Sequence, residues 1–403
     1  MTSPAPDQPA PEQSRALVPS RLRDFLLYFL RLGTFGFGGP VALAGYLQRD
    51  LVEQRRWVGR QDFVEGLALA QLSPGPLAAQ LAMYLGWVRA GRLGATLVGG
   101  AFVLPSFVMV LALAWLYVGF GGLAWIQASF YGIGAAIIAI VARSAFKLMR
   151  LTVGRDPLLF GIFAASGLFT AWTEREVLWV FLGAGILAVV VRTARSGGGP
   201  ATAGIGWPLV APLLEWASTG LHGPAVGELW RIAWYFTEAG AFVFGSGLAI
   251  VPFLHGGVVD QFHWLDERQF LDAVAVAMIT PGPVVITVAF IGFLVAGLSG
   301  ALVAAAGVFL PPYLVVLAFA PSVRRWSQDA RVKAFVAGVT AAAAGAIAGA
   351  SVVLGRRAII DLPTAAICGA VLLLLWRTKK IPEPLVILAA GALGLVARRL
   401  QAP

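Results

Sequence analysis

The sequence contains few charged residues and a single cysteine for its length. Asp, Glu, Lys and Arg make up 12% of its 403 residues, whereas an average soluble domain contains about 25%. Hydrophobic residues account for 59%, so the chain has too little charged surface for water and must be solvated by lipid. Cys368 is the only cysteine, which excludes a disulfide within the chain. It lies in an apolar run, where a buried, unreactive thiol is expected.

Histidine is scarce as well, and the motifs of familiar catalytic sites are missing. His222, His255 and His263 have no partners at the spacing of metal ligands. The sequence contains no Walker loop, no His-Glu-x-x-His and no serine nucleophile motif. We therefore expect no metal, no cofactor, no ATP hydrolysis and no enzyme activity. A membrane enzyme or lipid-handling scaffold is the alternative of another class, and it would need a catalytic cluster that the sequence lacks.

The excess of basic residues does not indicate nucleic-acid binding. The net charge is +10, but the Lys and Arg residues lie in short loops between apolar segments. That distribution is typical of the cytoplasmic loops of membrane proteins, so the expected surroundings are a lipid bilayer and no nucleic acid. Residues 1–20 are rich in proline and lack a long apolar core, which predicts a disordered cytoplasmic tail and no cleaved signal peptide.

An internal repeat relates the two halves of the chain. Ser73-Pro74-Gly75-Pro76 recurs 207 positions later as Thr280-Pro281-Gly282-Pro283. The same offset pairs Phe35 with Phe242, Phe37 with Phe244, Gly38 with Gly245, Gln54 with Gln261, Trp57 with Trp264, Phe63 with Phe270 and Pro105 with Pro312. A shift of one residue then aligns Gly132 with Gly338. One offset kept over some seventy residues indicates duplication of a single unit.

Each half combines two broken segments with longer apolar runs. A transmembrane helix needs about 20 mostly apolar residues. The runs cover residues 93–117, 124–146, 157–172 and 175–192, then 300–320, 334–354, 358–376 and 384–397. Ahead of them, Gly and Pro interrupt the apolar stretches at 36–40, 73–76, 244–247 and 280–283, where a helix cannot continue. We predict an all-α polytopic membrane protein with two repeats, each with two broken or re-entrant helical hairpins followed by about four transmembrane helices.

The charge of the loops predicts that the two repeats have opposite topology. Basic residues surround the first-half hairpins, namely Arg21, Arg23, Arg49, Arg55, Arg56, Arg60, Arg89 and Arg92. The matching second-half loops instead contain Asp260, Asp266 and Glu267. Because Lys and Arg favour the cytoplasmic side, the two sets of loops should face opposite sides. Two pairs of basic residues do not fit this topology, because Arg356-Arg357 and Arg398-Arg399 would then face outwards.

Opposite topology requires one additional crossing between the halves. We predict a tail at residues 1–20, a first repeat at 21–192, a linker at 193–227 and a second repeat at 228–400. Residues 205–221 of the linker are apolar enough to be a candidate span, although they include Glu215. The predicted total is nine or ten spans.

Inverted repeats with broken helices are typical of secondary transporters, in which the substrate binds where the half-helices meet. Pro40, Pro76, Pro283 and Gly247 stand where a new helix would begin. Each helix N-terminus presents free N–H groups and a partial positive charge, which favours a dianion such as chromate or sulfate. The predicted substrate-binding residues are Arg31, Gly38, Gly39, Pro40, Ser73, Gly75, Pro76, Gly245, Ser246, Gly247, Thr280, Gly282 and Pro283. The alternative is that the four breaks are only packing kinks.

Two pairs of ionisable residues occupy equivalent positions in the repeats. Arg31 aligns with Glu238 inside apolar stretches, where ionisable groups are costly and usually functional. Arg31 is a candidate oxyanion ligand and Glu238 a candidate gating carboxylate, unless the two neutralise each other or lie at the interface. Glu65 aligns with Asp272 just before the Pro-Gly-Pro motifs, and this pair is a candidate for carrying coupling protons or, alternatively, for an interfacial position. Neutral hydrogen-bonding groups near the breaks are Gln71, Gln80, Ser73, Thr280 and Thr287.

The paired motifs resemble the chromate ion transporter family in its long, two-domain form. The resemblance is carried by Phe37-Gly38-Gly39-Pro40, Ser73-Pro74-Gly75-Pro76, Phe244-Gly245-Ser246-Gly247 through Pro252, and Thr280-Pro281-Gly282-Pro283. It implies efflux of chromate across the bacterial inner membrane, and hence chromate resistance, with sulfate as the related anion. Ser246 departs from the family pattern, which often has a further glycine there. A passive anion channel and a transporter of sulfate or another oxyanion are the alternatives, and association as a homodimer is compatible with either.

Overall fold

The computed structural model describes residues 17–37, 39–120, 124–173, 178–195, 227–243, 247, 250–378 and 381–401. Within these ranges all regular secondary structure is helical, which confirms the predicted all-α class. The helices are α1 (Leu22–Phe35), α2 (Gly39–Leu47), α3 (Arg60–Leu72), α4 (Leu77–Phe120), α5 (Ala124–Thr152), α6 (Pro157–Thr173), α7 (Leu178–Arg195), α8 (Glu228–Phe242), α9 (Ile250–His255), α10 (Glu267–Ile279), α11 (Thr287–Phe319), α12 (Val323–Gln328), α13 (Ala330–Ala358), α14 (Leu362–Arg377) and α15 (Glu383–Gln401).

Four helical stretches are long and apolar enough to cross a membrane. They are Leu77–Phe120, Trp125–Thr152, Val284–Ser322 and Ala330–Ala358, and the shorter apolar helices are Pro157–Thr173, Trp179–Ala194 and Leu362–Arg377. The chain is therefore a multi-pass membrane protein. Helix α7 extends to Arg195, beyond the predicted end of the first repeat at 192. The predicted span at 205–221 lies outside the described residues, as does most of the predicted tail.

The two longest helices each reverse direction within their length. In α4 the backbone leaves helical geometry at Ala90 and Gly91, where Gly91 has a φ of +58°. A Cβ on Gly86 would overlap the carbonyl of Gly94, so the short arm before the turn folds back against the long arm after it. Helix α11 makes the same turn at Ala296 and Gly297. Because 90 and 296 are 206 positions apart, the one-residue shift between the repeats falls before these turns, rather than after Pro105 as the sequence comparison suggested.

The backbone before these turns is also repeated. A π-helical turn at Gln48–Gln54 corresponds to one at Gly256–Gln261. Arg56 and His263 are 207 positions apart, and both have positive φ, at 55° and 51°. Positive φ is uncommon outside glycine, so its recurrence at matched positions supports a common backbone for the two halves.

Small residues let the helices of the two halves pack closely against each other. Helix α13 is rich in Ala and Gly, and it packs against α5, α6 and α7 of the first half. A Cβ on Gly345 would overlap the carbonyl of Phe163, and Ser166 Oγ donates to the Ala342 carbonyl at 2.8 Å. Close approach of this kind drives helix association in lipid, where burial of apolar surface gives little advantage.

A cluster of charged side chains joins the end of α13 to the end of α9, the start of α10 and the segment between them. Arg357 Nη1 lies 3.1 Å from Glu267 Oε2 and 3.5 Å from Asp260 Oδ1. The buried ring of His255 contacts the same carboxylates, at 2.8 Å to Glu267 and 3.3 Å to Asp260. Arg357 is one of the basic residues that disagreed with the predicted topology, and its charge is balanced here by two acids.

Replacing Arg357 by alanine should destabilise the protein, because it leaves the carboxylates of Glu267 and Asp260 without their arginine partner. The free energy of unfolding should fall by about 1–2 kcal/mol, less than for a fully buried pair because the Arg357 side chain is 32% exposed. Thermal unfolding of the purified protein in detergent measures the loss. Arg356→Ala is the matched control, since the neighbouring Arg356 side chain is exposed. Equal melting temperatures for the two variants would contradict a stabilising role for the cluster.

Candidate functional site at the helix breaks

Two hydrogen bonds connect the broken segments of one half with those of the other. The Gly75 N–H donates to the Val243 carbonyl at 2.5 Å, and the Gly282 N–H donates to the Gly36 carbonyl at 3.1 Å. Gly75 and Gly282 are equivalent positions of the Pro-Gly-Pro motifs, and Gly36 and Val243 are equivalent positions at the ends of α1 and α8. The two bonds are therefore a matched pair between the two halves of the chain, and they bring the broken segments into contact.

The central glycines of both Pro-Gly-Pro motifs are required by conformation and by space. Gly75 has a φ of +132° and Gly282 a φ of +107°, in the region that side chains disfavour. A Cβ on Gly75 would lie 2.5 Å from Pro312 Cβ, and a Cβ on Gly282 would overlap Ser106 Oγ. Pro312 and Ser106 each belong to the opposite half, so each motif is held against the long helix of the other repeat.

Ser73 and Thr280 lie at the ends of α3 and α10 and are both buried. Each hydroxyl donates to the helix that precedes it, Ser73 Oγ to the Leu69 carbonyl and Thr280 Oγ1 to the Val276 carbonyl, both at 2.6 Å. Each hydroxyl proton is therefore already engaged in a hydrogen bond at the end of its own helix. Each oxygen remains able to accept a hydrogen bond, but neither hydroxyl donates to a neighbouring ligand in this conformation.

New helices begin at the predicted prolines. Helix α4 begins directly after Pro76, and a 3₁₀ turn at Val284–Ile286 begins directly after Pro283. Gly39 and Pro40 form the first turn of α2. The buried Gly247 lies beside this 3₁₀ turn, since a Cβ on it would be 3.5 Å from Val284 Cβ. Gly38, Gly245 and Ser246 lie outside the described residues.

Arg31 and Glu238 occupy equivalent positions on α1 and α8 but have different surroundings. The Arg31 side chain is exposed, whereas that of Glu238 is partly buried. Neither forms an ion pair with any described residue, so they do not neutralise each other in this conformation. Gly33 and Gly240, two positions further along each helix, pack against the backbone of the long helix of the same half at Phe102 and Val308.

Asp272 and Glu65, the second ionisable pair, are each approached by a tyrosine. Tyr117 donates to Asp272 Oδ2 at 2.7 Å, and the Asp272 side chain is only 3% exposed. Tyr84 reaches Glu65 Oε2 at a longer 3.4 Å, and Gln61 donates to the same carboxylate at 3.1 Å. Asp272 is thus the deeply buried member, bonded to a side chain from the first half.

Comparison with known proteins agrees with this repeated architecture. The family model described as "Chromate transporter" matches the chain twice, at residues 23–189 and 230–395. This chain belongs to the chromate transporter family. The two matches begin 207 positions apart, which is the offset of the Pro-Gly-Pro motifs.

Relatives from several bacteria match over most of their length. The "Chromate transport protein" of Cupriavidus metallidurans is 54% identical over 98% of both chains. The "Probable chromate transport protein" of Synechococcus elongatus is 53% identical over 93% of this chain and 95% of its own. The "Chromate transport protein" of Pseudomonas aeruginosa is 31% identical over 91% and 90%. No solved structure matches the chain. Family membership makes this protein a transporter rather than an enzyme.

Two side chains that contact the candidate site were not singled out by the sequence, and the contacts of a third were not foreseen. Tyr117 is the donor to Asp272, Ser106 packs against Gly282, and Gln80 contacts the first Pro-Gly-Pro motif with its amide nitrogen 2.6 Å from the Pro74 carbonyl. Tyr117 and Ser106 lie in a long apolar helix without a motif, so only the chain path brings them to the site. Gln80 was visible as a polar residue near the break, but its contacts were not.

Proposed function

We propose that this transporter exports chromate across the bacterial inner membrane as a secondary transporter, and that the oxyanion binds where the broken helices of the two repeats meet. The observation that carries the proposal is the matched pair of hydrogen bonds between Gly75 and Val243 and between Gly282 and Gly36. It brings helix starts together, whose N–H groups favour anions. Family membership supports chromate as the substrate, with sulfate as the related anion.

Opposite topology of the repeats accounts for the contacts between charged ends. If the loops around Arg55 face the cytoplasm, both the cluster at Arg357 and the end of α15 face outwards. Arg398 then lies on the outer side, where its guanidinium stacks over the Tyr131 ring at 4.7 Å. On the cytoplasmic side, Arg192 pairs with Asp156 at 2.8 Å. Each of these contacts joins groups that the inverted arrangement assigns to the same side.

The matched bonds also suggest how access alternates. Two equivalent contacts related by the repeat can break and re-form in turn, so that the site opens first to one side and then to the other. Asp272 and its aligned partner Glu65 are the groups proposed to carry coupling protons, and Glu238 is the proposed gating carboxylate. The buried position of Asp272 favours it as the principal coupling group.

Flux of radiolabelled chromate into everted membrane vesicles tests the proposal. Saturable accumulation that depends on an imposed proton gradient or membrane potential, and that exceeds accumulation in vesicles without the protein, is the expected result. Excess sulfate tests whether the two anions share the site. Currents without saturation and without dependence on a counter-ion would instead support a passive anion channel. No flux above control vesicles, with the protein shown to be inserted, would contradict chromate transport.

Replacing Arg31 by alanine should reduce chromate flux to the level of control vesicles while leaving the protein inserted. The physical reason is the loss of a planar guanidinium that can bind two oxygens of a tetrahedral anion. Arg23→Ala is the matched control, because Arg23 is exposed on the same helix two turns nearer its beginning. Unchanged flux in the Arg31→Ala protein would remove Arg31 from the proposed binding site.

A further inference from the structure

The Gln80 side chain is fully buried and has an unmatched hydrogen-bond acceptor. Its amide nitrogen donates to Ser73 Oγ at 3.0 Å and to the Pro74 carbonyl at 2.6 Å. A carbonyl oxygen can only accept, and Ser73 already donates its proton to the Leu69 carbonyl. These neighbours fix which amide atom faces them. Gln80 Oε1 is therefore the atom that faces elsewhere, and it has no donor among the described residues.

Unmatched donors lie at the same helix start. Leu77, Ala78 and Ala79 form the first turn of α4 and are 5%, 3% and 0% exposed. The first N–H groups of a helix have no acceptor within it, and none of these three has one elsewhere in the described part of the chain. The Gln80 amide folds back over this end, since a Cβ on Gly75 would be 2.7 Å from its nitrogen. Three donors without an acceptor and one acceptor without a donor thus belong to the same buried helix start.

The second repeat has no amide side chain at this position. Counted from the proline, the equivalent of Gln80 is Thr287, whose hydroxyl donates to the Val284 carbonyl at 2.7 Å. Counted from Gly292, the equivalent is Ile286, which has no polar side chain. Among the described residues at the starts of these two helices, only Gln80 of the first repeat thus has a buried amide oxygen without a donor, and symmetric packing does not explain it.

We infer that the site selects a tetrahedral oxyanion that still carries one proton. The anionic oxygens would accept from the N–H groups of Leu77 to Ala79, and the O–H would donate to Gln80 Oε1. A fully ionised anion has only acceptors, so it would leave a buried carbonyl oxygen facing a negative charge, which is costly. A cation would match the carbonyl oxygen but would face the positive end of the helix. This inference rests on the proposed function and names its substrate as hydrogen chromate rather than the chromate dianion.

The test uses sulfate as an internal reference, because sulfate stays fully ionised from mildly acidic to mildly alkaline pH whereas chromate does not. Chromate flux in everted vesicles is measured at equal pH on both sides, with a fixed membrane potential. In the wild-type protein, the KM for total chromate should rise with pH relative to the inhibition constant of sulfate. Gln80→Met keeps the length of the side chain but removes both the acceptor and the amide donor to Ser73 and Pro74. In this variant, the ratio of the chromate KM to the sulfate inhibition constant should depend less on pH, and sulfate should compete about tenfold better.

A second variant and a control test whether the effect comes from the acceptor of Gln80. Gln80→Asn retains the amide but withdraws it by one methylene, so it should shift the ratio in the same direction, whereas Thr287→Val should not shift it. If neither Gln80 variant inserts, the wild-type pH profile decides alone. A wild-type ratio that does not change with pH, or an unchanged ratio in a Gln80 variant that transports, would overturn the inference and assign Oε1 to a structural water. Absence of wild-type chromate flux at every pH would instead contradict the proposed function.

Discussion

Replacing Gly282 by alanine is expected to abolish chromate transport and to destabilise the folded protein. The φ of +107° costs a residue with a Cβ about 1–2 kcal/mol, and the overlap with Ser106 adds about 1–3 kcal/mol of overpacking. The motif would have to move, which would lengthen the bond from the Gly282 N–H to the Gly36 carbonyl. Vesicle flux and thermal unfolding in detergent measure the two effects.

The matched control for this glycine is Gly100→Ala in the long arm of α4. A Cβ on Gly100 meets no atom within 4 Å, so flux and melting temperature should stay at wild-type values. A Ser106→Gly change in the Gly282→Ala background should recover part of the stability, because it removes the overlap but not the strain in φ. Wild-type transport by Gly282→Ala would show that the contact between the repeats is not needed for the transport cycle.

Replacing Asp272 by asparagine is expected to uncouple transport from the proton gradient. Asparagine is close in size but cannot release or bind a proton, so energised accumulation of chromate should fall to the level of control vesicles. Exchange of labelled for unlabelled chromate, which needs no net proton movement, should continue. The measurement is accumulation and exchange in the same vesicle preparation.

Glu65→Gln is the matched control for Asp272, because it makes the same chemical change at the aligned position. Its effect should be smaller, since the Glu65 carboxylate is only partly buried and has the longer tyrosine contact of 3.4 Å. Tyr117→Phe should lower stability by about 1–3 kcal/mol, because a carboxylate that is 3% exposed would lose its donor. Undiminished accumulation by Asp272→Asn would show that Asp272 is not the group that couples transport to the proton gradient.

The positions of the breaks could be predicted from the sequence because glycine and proline act locally. The start of α4 after Pro76 and the special backbone at Gly75 and Gly282 follow from residue type. The reversal at Gly91 was not predicted, because Arg89 and Arg92 beside it were interpreted simply as loop charges. Beyond this region, the predicted alignment of the two repeats was wrong by one residue. Pro105 was paired with Pro312, whereas the spacing of the turns pairs it with the adjacent Pro311.

By itself, the sequence determined that this protein is a helical membrane transporter of two related halves. Composition, apolar run length and motif spacing are properties of the sequence itself, and they can be determined without knowledge of the contacts in the fold. Only the tertiary structure decided which groups meet. It joined Gly75 to Val243 and Tyr117 to Asp272, and it left Gln80 Oε1 without a donor. These pairings lie up to about 170 residues apart along the chain, and a hydrogen bond depends on distances of a few tenths of an ångström that no local pattern encodes.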